Sequence, residues 1–281
     1  MKLQNRTILI TGGTSGIGLE LARQLLQRGN TVIITGRDRQ KLEAARRMLT
    51  GVYVFKSDVS DPEEITALHE LVLAQFPGLD TLINNAGIMR NLDLNQERDL
   101  SDVTREIEIN LSGPVRMIQQ FLPHLRTRRG AMIVNVSSGL AFIPFPASPV
   151  YCAAKAALHS YTQSLRVQLD GAGVTVIELA PPAVQTPLLR GEFAEEMKGQ
   201  KGMDVKVFAE KAIAGIDAGR LEIRPGLSNV LKAMSRLAPQ FMFKQMTRLA
   251  FAKQRRNAAG GPGTRAEAVL KANEELTGKT T

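Results

Sequence analysis

The chain has 281 residues, of which 43% are hydrophobic, and this size and composition fit one large α/β domain with a tail. One cysteine, Cys152, excludes an internal disulfide, and the three histidines, at positions 69, 124 and 159, are too scattered for a zinc site, so no metal site is expected. The net charge of +9 lies mainly between positions 224 and 256, where eight residues are basic and none is acidic.

Apolar, β-branched runs alternate with helical patterns along the chain. The first run begins at Thr7, which leaves no room for a signal peptide, and no apolar window reaches the length of a membrane span, so a cytoplasmic protein is expected. Candidate strands cover residues 7–11, 31–35, 52–55, 81–84, 131–136 and 174–179. Candidate helices cover residues 17–28, 41–49, 62–76, 100–125 and 150–170. This alternation predicts a single doubly wound α/β domain of the Rossmann type over residues 1–226, with a mostly parallel seven-stranded sheet.

A glycine-rich segment directly follows the first candidate strand and runs into an apolar-periodic helix. It reads Thr11-Gly12-Gly13-Thr14-Ser15-Gly16-Ile17-Gly18. Gly12 permits a tight turn, Gly16 lets the backbone approach a pyrophosphate, and Gly18 lets helix and strand pack closely. The strand before it and the helix after it distinguish a dinucleotide-binding fingerprint from an ordinary glycine-rich turn. The predicted cofactor contacts here are Gly12, Thr14, Ser15, Gly16, Ile17 and Gly18.

The end of the second candidate strand bears on the choice of dinucleotide. It reads Thr35-Gly36-Arg37-Asp38, at the place where a NAD site puts an acid on the ribose 2′-hydroxyl. Gly36 cannot play that part, whereas Arg37 could pair with a 2′-phosphate. NADP(H) is therefore favoured over NAD(H). The alternative is that Arg37 is a solvated residue at a strand end and Asp38 the N-cap of the next helix.

Several motifs in order resemble those of the short-chain dehydrogenase/reductase (SDR) family over about residues 7–186. Asn84-Asn85-Ala86-Gly87 resembles its structural motif, and Asp58-Val59 resembles its adenine contact. The resemblance extends to the family's catalytic set, which here would be Asn110, Ser138, Tyr151 and Lys155. It also implies cofactor contacts from Asn85, Ala86, Gly87, Tyr151, Lys155, Pro181 and Thr186, and a homodimer or homotetramer. The sequence running into the C-terminal segment is similar to a bacterial DltE-like branch.

Two departures from the family pattern affect the cofactor site. Pro181-Pro182 stands where the family usually has Pro-Gly, and proline cannot take the positive φ that glycine can, so the backbone beside the nicotinamide ribose is expected to change course and Thr186 to be a less secure contact. Ser15 stands where many NADP-selective members carry a basic residue, which leaves Arg37 to bear the phosphate recognition.

The pair Tyr151 and Lys155 has the spacing that acid–base catalysis by a phenol requires. Residues four apart share one helix face, and a nearby ammonium favours the phenolate of a tyrosine that otherwise titrates near pH ~10. Tyr151 is thus the predicted general acid/base, Lys155 its support, and Ser138 the donor to the substrate oxygen. By the resemblance, Asn110 would hold a relay water. A non-catalytic dinucleotide sensor or scaffold on the same fold is the alternative function.

Neighbouring reactive side chains have plainer explanations. Cys152 has no histidine at an activating helical spacing, so a buried, unreactive thiol is expected. His159 continues the helix four residues beyond Lys155; a surface or subunit-contact histidine is favoured over a group that supports the site from behind.

Substrate contacts are expected from the uncharged segment 139–150, which favours an apolar alcohol or carbonyl compound. Residues 188–207 are expected to form a mobile lid. Residues 227–256 are predicted to form a basic extension of two short helices interrupted at Pro239, the second with Lys244, Arg248 and Arg255 on one face and Met242, Met246 and Leu249 on the other. Covering the domain or a subunit neighbour is favoured over contact of residues 228–256 with an anionic membrane or an acidic carrier. Nucleic-acid binding is not expected, and residues 257–281 are expected to be a flexible polar tail.

Overall fold

The structure, a computed structural model, describes residues 2–191, 193 and 202–251. Its strands are β1 (Thr7–Ile10), β2 (Thr31–Gly36), β3 (Tyr53–Lys56), β4 (Leu79–Asn84), β5 (Ala131–Val136), β6 (Val174–Leu179) and β7 (Glu222–Ile223). Its helices are α1 (Gly16–Gln27), α2 (Arg39–Met48), α3 (Pro62–Gln75), α4 (Leu100–Val103), α5 (Arg105–Ile107), α6 (Gly113–Leu125), α7 (Pro149–Gln168), α8 (Pro187–Arg190), α9 (Val205–Asp217), α10 (Leu227–Leu237) and α11 (Pro239–Ala250).

All seven strands form one sheet in the order β3-β2-β1-β4-β5-β6-β7, and every described pair is parallel. This agrees with the predicted mostly parallel sheet: at least one helix lies between each two successive strands, so every crossover returns the chain in the same direction. All six residues of β5 are buried, which explains why its sequence lacks polar alternation. The doubly wound fold is confirmed.

Helices cover both faces of the sheet and bury two apolar clusters. On one face, α1 and α9 pack side chains such as Leu21 and Phe208 against Ile8 and Ile34. On the other face, α3, α6 and α7 contribute side chains that include Val72, Phe121 and Leu165. The strand order reverses between β1 and β4, so a crevice opens there beyond the carboxyl ends of the strands.

The single helix predicted for residues 100–125 is wrong in detail. The chain forms α4 and α5, then a π-helical turn at Glu108–Ser112, and then α6. Pro114, the second residue of α6, directly follows the π turn, and its missing N–H removes one helical hydrogen bond at this junction. Helical periodicity therefore predicted the helical segment but not the π turn within it, where Asn110 lies.

The predicted pair of C-terminal helices is confirmed as α10 and α11. Pro239 is the first residue of α11, where proline is well tolerated. In the segment predicted as a lid, α8 and the start of α9 lie within the described residues, whereas 192 and 194–201 do not. Arg255, the rest of 252–256 and the predicted tail at 257–281 also fall outside them. Among the described helices, none is long and apolar enough to cross a membrane.

Candidate active site

A cavity of about 490 Å³ lies in the crevice beyond the strand ends. Its volume is within the usual range for small-molecule sites. The predicted cofactor contacts that line it are Gly12, Thr14, Ser15, Gly16, Ile17, Arg37, Asp58, Val59, Asn85, Ala86, Gly87, Tyr151, Lys155, Pro181 and Thr186. The structure therefore brings together residues that the sequence distributes over 175 positions.

The glycine-rich segment places the N-terminus of α1 at the cavity. Gly16 has a φ of +56°, and a Cβ there would lie 3.3 Å from the side chain of Thr186. Ser15, the N-cap, makes no side-chain capping bond among the described residues, so the first N–H groups of α1 are left for an anion. This end of the cavity fits a pyrophosphate.

Gly18 has a packing role and, contrary to its inclusion among the cofactor contacts, does not line the cavity. A Cβ on Gly18 would lie 2.4 Å from Asn85 Nδ2 and 2.5 Å from the Gly12 carbonyl oxygen. Asn85 Nδ2 donates to that carbonyl (3.1 Å) and to the carbonyl of Thr11 (3.0 Å), while Thr11 Oγ1 accepts from the backbone N–H groups of Asn85 and Ala86. The segment 84–87 is thus hydrogen-bonded to the glycine loop. The role of Thr11 in fixing this segment was not predicted from the sequence.

Two cations line the far end of the cavity, beside the ends of β2 and β3. Asp38 Oδ1 accepts from the N–H groups of Gln40 (2.8 Å) and Lys41 (3.1 Å), so this carboxylate caps α2. Arg37 and Lys41 are both exposed and both line the cavity. Lys41 was not predicted as a cofactor contact, although a basic residue four positions after Arg37 could have indicated a second cation at this end of the cavity.

Asp58 and Ser57 form the neighbouring wall. Asp58 Oδ1 accepts from the backbone N–H (3.0 Å) and the hydroxyl (2.7 Å) of Ser60. Burial raises the pKa of Asp58, but these bonds and the charges of Arg37 and Arg105 lower it more, so the group is an anion at neutral pH. Ser57 Oγ is buried and finds no hydrogen-bond partner among the described residues, which leaves it for a bound molecule.

Three of the four predicted catalytic side chains meet at the centre of the cavity. Ser138 follows β5, while Tyr151 and Lys155 lie in the first turns of α7. Ser138 Oγ accepts from the N–H of Leu140 (3.1 Å), and Lys155 Nζ donates to the carbonyl of Val136 (2.8 Å). Lys155 Nζ stands 5.9 Å from the centre of the Tyr151 ring.

Burial dominates the acid–base properties of this group. It raises the pKa of Tyr151 to about 12, against the opposing effect of a hydrogen bond from Ser138. Burial also lowers the pKa of Lys155 to about 8. The expectation that Lys155 would lower the pKa of Tyr151 is therefore wrong for the protein alone: both side chains are desolvated, and desolvation disfavours the phenolate as well as the ammonium.

Asn110 lies behind the cavity and does not line it. Its Nδ2 donates to the carbonyl of Ile88 (2.8 Å), and its Oδ1 accepts from the N–H of Ile88 (3.1 Å). A Cβ on Gly87 would lie 2.7 Å from Asn110 Oδ1 and 3.6 Å from Lys155 Nζ, so only glycine leaves room between them. The side chain of Asn110 holds the loop after β4 in place.

The end of the cavity beyond Tyr151 is apolar. Phe145, Phe193 and Tyr151 form a buried cluster with Met246 and Leu249 of α11. Leu227 and Leu231 of α10 line the same cavity. The C-terminal extension was expected to cover the domain or a neighbour, and it forms part of the pocket wall. This role was not predicted, because the periodicity of a helix does not show where the helix packs. Pro181 and Pro182 also line the cavity, and Thr186 remains in contact range of the glycine loop.

The two reactive side chains near the site differ in outcome. Cys152 is buried, its Sγ accepts from the N–H of Phe145 (3.3 Å), and burial raises the pKa of its thiol to about 11, as expected of an unreactive cysteine. His159 was expected at the surface or at a subunit contact; its side chain is 16% exposed and its Nδ1 lies 2.7 Å from Glu178 Oε2. His159, Glu178 and Glu222 are close enough to share a metal ion, but Glu222 already binds the cationic groups of Lys232 and Arg224.

A sequence model of the family described as short chain dehydrogenase matches residues 6–197. The chain belongs to the short-chain dehydrogenase family. Within it, the oxidoreductase DltE of Bacillus subtilis, described as uncharacterized, is 40% identical over 247 residues, which are 88% of this chain and 98% of that protein. An uncharacterized oxidoreductase of Staphylococcus epidermidis is 31% identical over 228 residues, covering 80% of this chain and 99% of the relative. The predicted family and the DltE-like branch are confirmed, and the chain is an oxidoreductase.

Solved structures of short-chain dehydrogenases share the fold. One, from Burkholderia cenocepacia in complex with NADP, superposes with a TM-score of 0.76 at 23% identity and covers 88% of this chain and 99% of its own. The 3-ketoacyl-(acyl-carrier-protein) reductase of Brucella melitensis, complexed with NADH, superposes with a TM-score of 0.69 at 28% identity and covers 77% of this chain and 92% of its own.

Proposed function

We propose that this short-chain dehydrogenase transfers hydride between NADP(H) and an apolar alcohol or carbonyl compound, with Tyr151 as the general acid/base. The observation that carries the proposal is the position of Ser138, Tyr151 and Lys155 between the α1 N-terminus and an apolar pocket, in one cavity. A dinucleotide sensor would need the cofactor-binding end at the α1 N-terminus, but it would not need Ser138, Tyr151 and Lys155.

The protonation states of the site favour reduction at neutral pH. A Tyr151 pKa of about 12 keeps the phenol protonated, and a Lys155 pKa of about 8 keeps most of the ammonium charged. Tyr151 can therefore give its proton to a substrate oxygen, while Ser138 donates a hydrogen bond to the same oxygen and Lys155 stabilises the phenolate that forms. A bound nicotinamide dinucleotide would supply or accept the hydride. Ile88 engages one donor and one acceptor of the Asn110 side chain, so we expect a relay water at Asn110 to bind its backbone.

Selectivity for the 2′-phosphate of NADP(H) is proposed to rest on Arg37 and Lys41. Both cations line the far end of the cavity, and the one acidic residue at the end of β2, Asp38, is engaged as the cap of α2. Two cations and no unengaged carboxylate at this strand end fit a dianionic phosphate better than a ribose hydroxyl. Asp58, on the neighbouring strand, is held by Ser60.

The apolar character of the substrate is proposed from the walls at the other end. Met89, Leu140, Phe145, Phe193, Met246 and Leu249 surround the space next to Tyr151. A charged or heavily hydroxylated substrate would leave polar groups unpaired against these side chains. The assembly as a homodimer or homotetramer and the cytoplasmic location also stay predictions; light scattering of the purified protein tests the first.

Titration with NADPH and NADH, followed by nucleotide fluorescence, tests the cofactor assignment. Loss of one charge-assisted phosphate contact, about 2 kcal/mol, makes NADPH binding roughly 30-fold weaker in Arg37→Asp and leaves NADH binding little changed or improved. Arg47→Asp is the matched control, because it makes the same charge change at an exposed cation of α2, the helix that follows Arg37, and Arg47 does not line the cavity.

Turnover tests the reaction class. A panel of apolar aldehydes and ketones with NADPH should include substrates, whereas sugars and anionic carbonyl compounds should not. Tight NADPH binding without any turnover would favour the sensor, and failure to bind either nucleotide would refute the proposed function altogether.

A further inference from the structure

Three hydrogen-bonded side chains run from the cavity wall at Ser137 to Glu178 and His159, which do not line the cavity, and have no part in the chemistry proposed above. Ser137 Oγ donates to Glu178 Oε1 over 2.5 Å, and Glu178 Oε2 lies 2.7 Å from His159 Nδ1. Ser137 and Glu178 are 2% and 0% exposed. We call Ser137, Glu178 and His159 the polar chain.

The polar chain joins the three elements that carry the site. Ser137 precedes Ser138 at the end of β5. His159 lies on α7, one helical turn beyond Lys155. Glu178 is on β6, whose continuation through Pro181 forms another wall of the cavity. One carboxylate is thus bonded to the elements that hold the serine, the tyrosine–lysine pair and the expected nicotinamide contacts.

We propose that Glu178 and His159 are positioning residues for catalysis, which set the placement of Ser138 relative to Tyr151 and Lys155. The proposal rests on the proposed function. Neither side chain touches the cavity, so their effect passes through the elements that they tie together. A side chain that served only to fill space here would not need to be a carboxylate.

The two hydrogen bonds that Glu178 accepts favour a carboxylate over an amide at this position. Glu178 accepts through both oxygens, from the Ser137 hydroxyl and the His159 Nδ1–H, and an ionised carboxylate has acceptors on both sides. With Nδ1–H donated to Glu178, Nε2 of His159 accepts from the Gln163 amide 2.8 Å away. A glutamine at position 178 that keeps its oxygen on His159 would turn its N–H₂ group toward Ser137. The Ser137 hydroxyl would then have to accept from this group and direct its hydrogen to the Leu179 carbonyl, 3.3 Å away, so the short bond that Ser137 donates to Glu178 would be lost.

The charges around the polar chain also link it to the wall of the substrate pocket. Buried Glu178 lies beside the half-buried Glu222 in the parallel register of β6 and β7, and two neighbouring carboxylates are stabilised by nearby cations. Lys232 of α10 and Arg224 bind Glu222, and their charges lower its pKa against the opposing effect of burial. Lys232 Nζ also stands 5.2 Å from the centre of the Phe142 ring, which meets the His159 ring edge-on at 5.0 Å.

Steady-state kinetics of Glu178→Gln tests the proposal. Misplacement of catalytic groups by a fraction of an ångström to 1 Å can cost up to about 100-fold in rate, so we expect kcat to fall about 10- to 100-fold while Kd for NADPH stays within about twofold of wild type. The matched control is Glu20→Gln, which removes a 5% exposed carboxylate bonded to Arg23 and Gln24 on α1, away from the cavity. Equal kcat values in these two variants would overturn the proposal.

A pair of histidine variants decides the matter if Glu178→Gln fails to fold. His159→Asn keeps an N–H near the position of Nδ1, whereas His159→Leu keeps bulk and removes the donor. We expect His159→Asn to retain kcat within about threefold and His159→Leu to lose about 10-fold or more, with NADPH binding kept in both. Equal losses in the two variants, or no loss in His159→Leu, would refute a role for the hydrogen bond.

A readout that needs no turnover separates this proposal from the proposed function. In ¹H–¹⁵N spectra of histidine-labelled protein, His159 should be the Nδ1–H tautomer, and Ser137→Ala should shift its signals while those of His69 and His124 stay in place. An Nε2–H tautomer at His159 would overturn the proposal even in an active enzyme. An Nδ1–H tautomer in a protein with no NADPH-dependent turnover would instead place the failure with the proposed function.

Discussion

The proposed contribution of α11 to substrate binding gives the sharpest quantitative prediction. Leu249 is half-buried and lines the cavity next to Met246. Leu249→Ala removes three carbons from this wall. At roughly 0.8 kcal/mol per buried methylene, the loss would reach about 2.4 kcal/mol if the substrate covered the whole side chain, and about half of that for a half-covered one. We therefore expect kcat/KM for long apolar substrates to fall about eightfold.

A series of straight-chain aldehydes of increasing length, reduced with NADPH, provides the assay. In the wild type, kcat/KM should rise with each added methylene until the chain passes Leu249; in Leu249→Ala the rise should stop earlier, while short aldehydes react as before. Met242→Ala is the control, because Met242 is a half-buried residue of the same helix that does not line the cavity. An equal effect of both substitutions, or a loss independent of chain length, would refute the reasoning.

Two further predictions concern charge and packing. Burial lowers the pKa of Lys155 to about 8, so the ammonium is lost as pH rises through that value. We expect kcat/KM for reduction to decline above pH 8, although Tyr151, with a pKa of about 12, stays protonated there. A flat profile from pH 7 to pH 9.5 would contradict this. Gly18→Ala puts a Cβ 2.4 Å from Asn85 Nδ2 and should destabilise the fold by about 1–3 kcal/mol, visible as a lower Tm; an unchanged Tm would contradict this.

Much of the fold and of the cofactor site could be predicted from sequence because each depends on local patterns. A strand, a glycine-rich turn and an amphipathic helix in succession leave few ways to fold, and the doubly wound topology then carries the residues that follow each strand to one edge. For this reason Arg37, Asp58, Asn85 and Ser138, although far apart in the chain, were assigned to one cavity, and all four line it.

What could not be predicted depends on contacts between distant segments. The apolar stripe of Met242, Met246 and Leu249 identified a face of α11 but not its destination, which is fixed only by the path of the chain after β7. The contact between His159 and Glu178 was not predicted for the same reason: the two residues are on different elements, and nothing in the local sequence pairs them. The pKa of Tyr151 is raised by burial, whereas the sequence predicted that Lys155 would lower it, because spacing shows which residues can meet but not how deeply they are buried.

The central claim is that Tyr151 transfers the proton that accompanies hydride transfer, and Tyr151→Phe tests it most directly. The substitution removes one hydroxyl from a side chain that is 8% exposed, so the fold and the apolar wall should be retained. The account predicts NADPH binding within about twofold of wild type and NADPH-dependent carbonyl reduction slower by about 100- to 10,000-fold. Retention of wild-type turnover in a variant that still binds NADPH would contradict it.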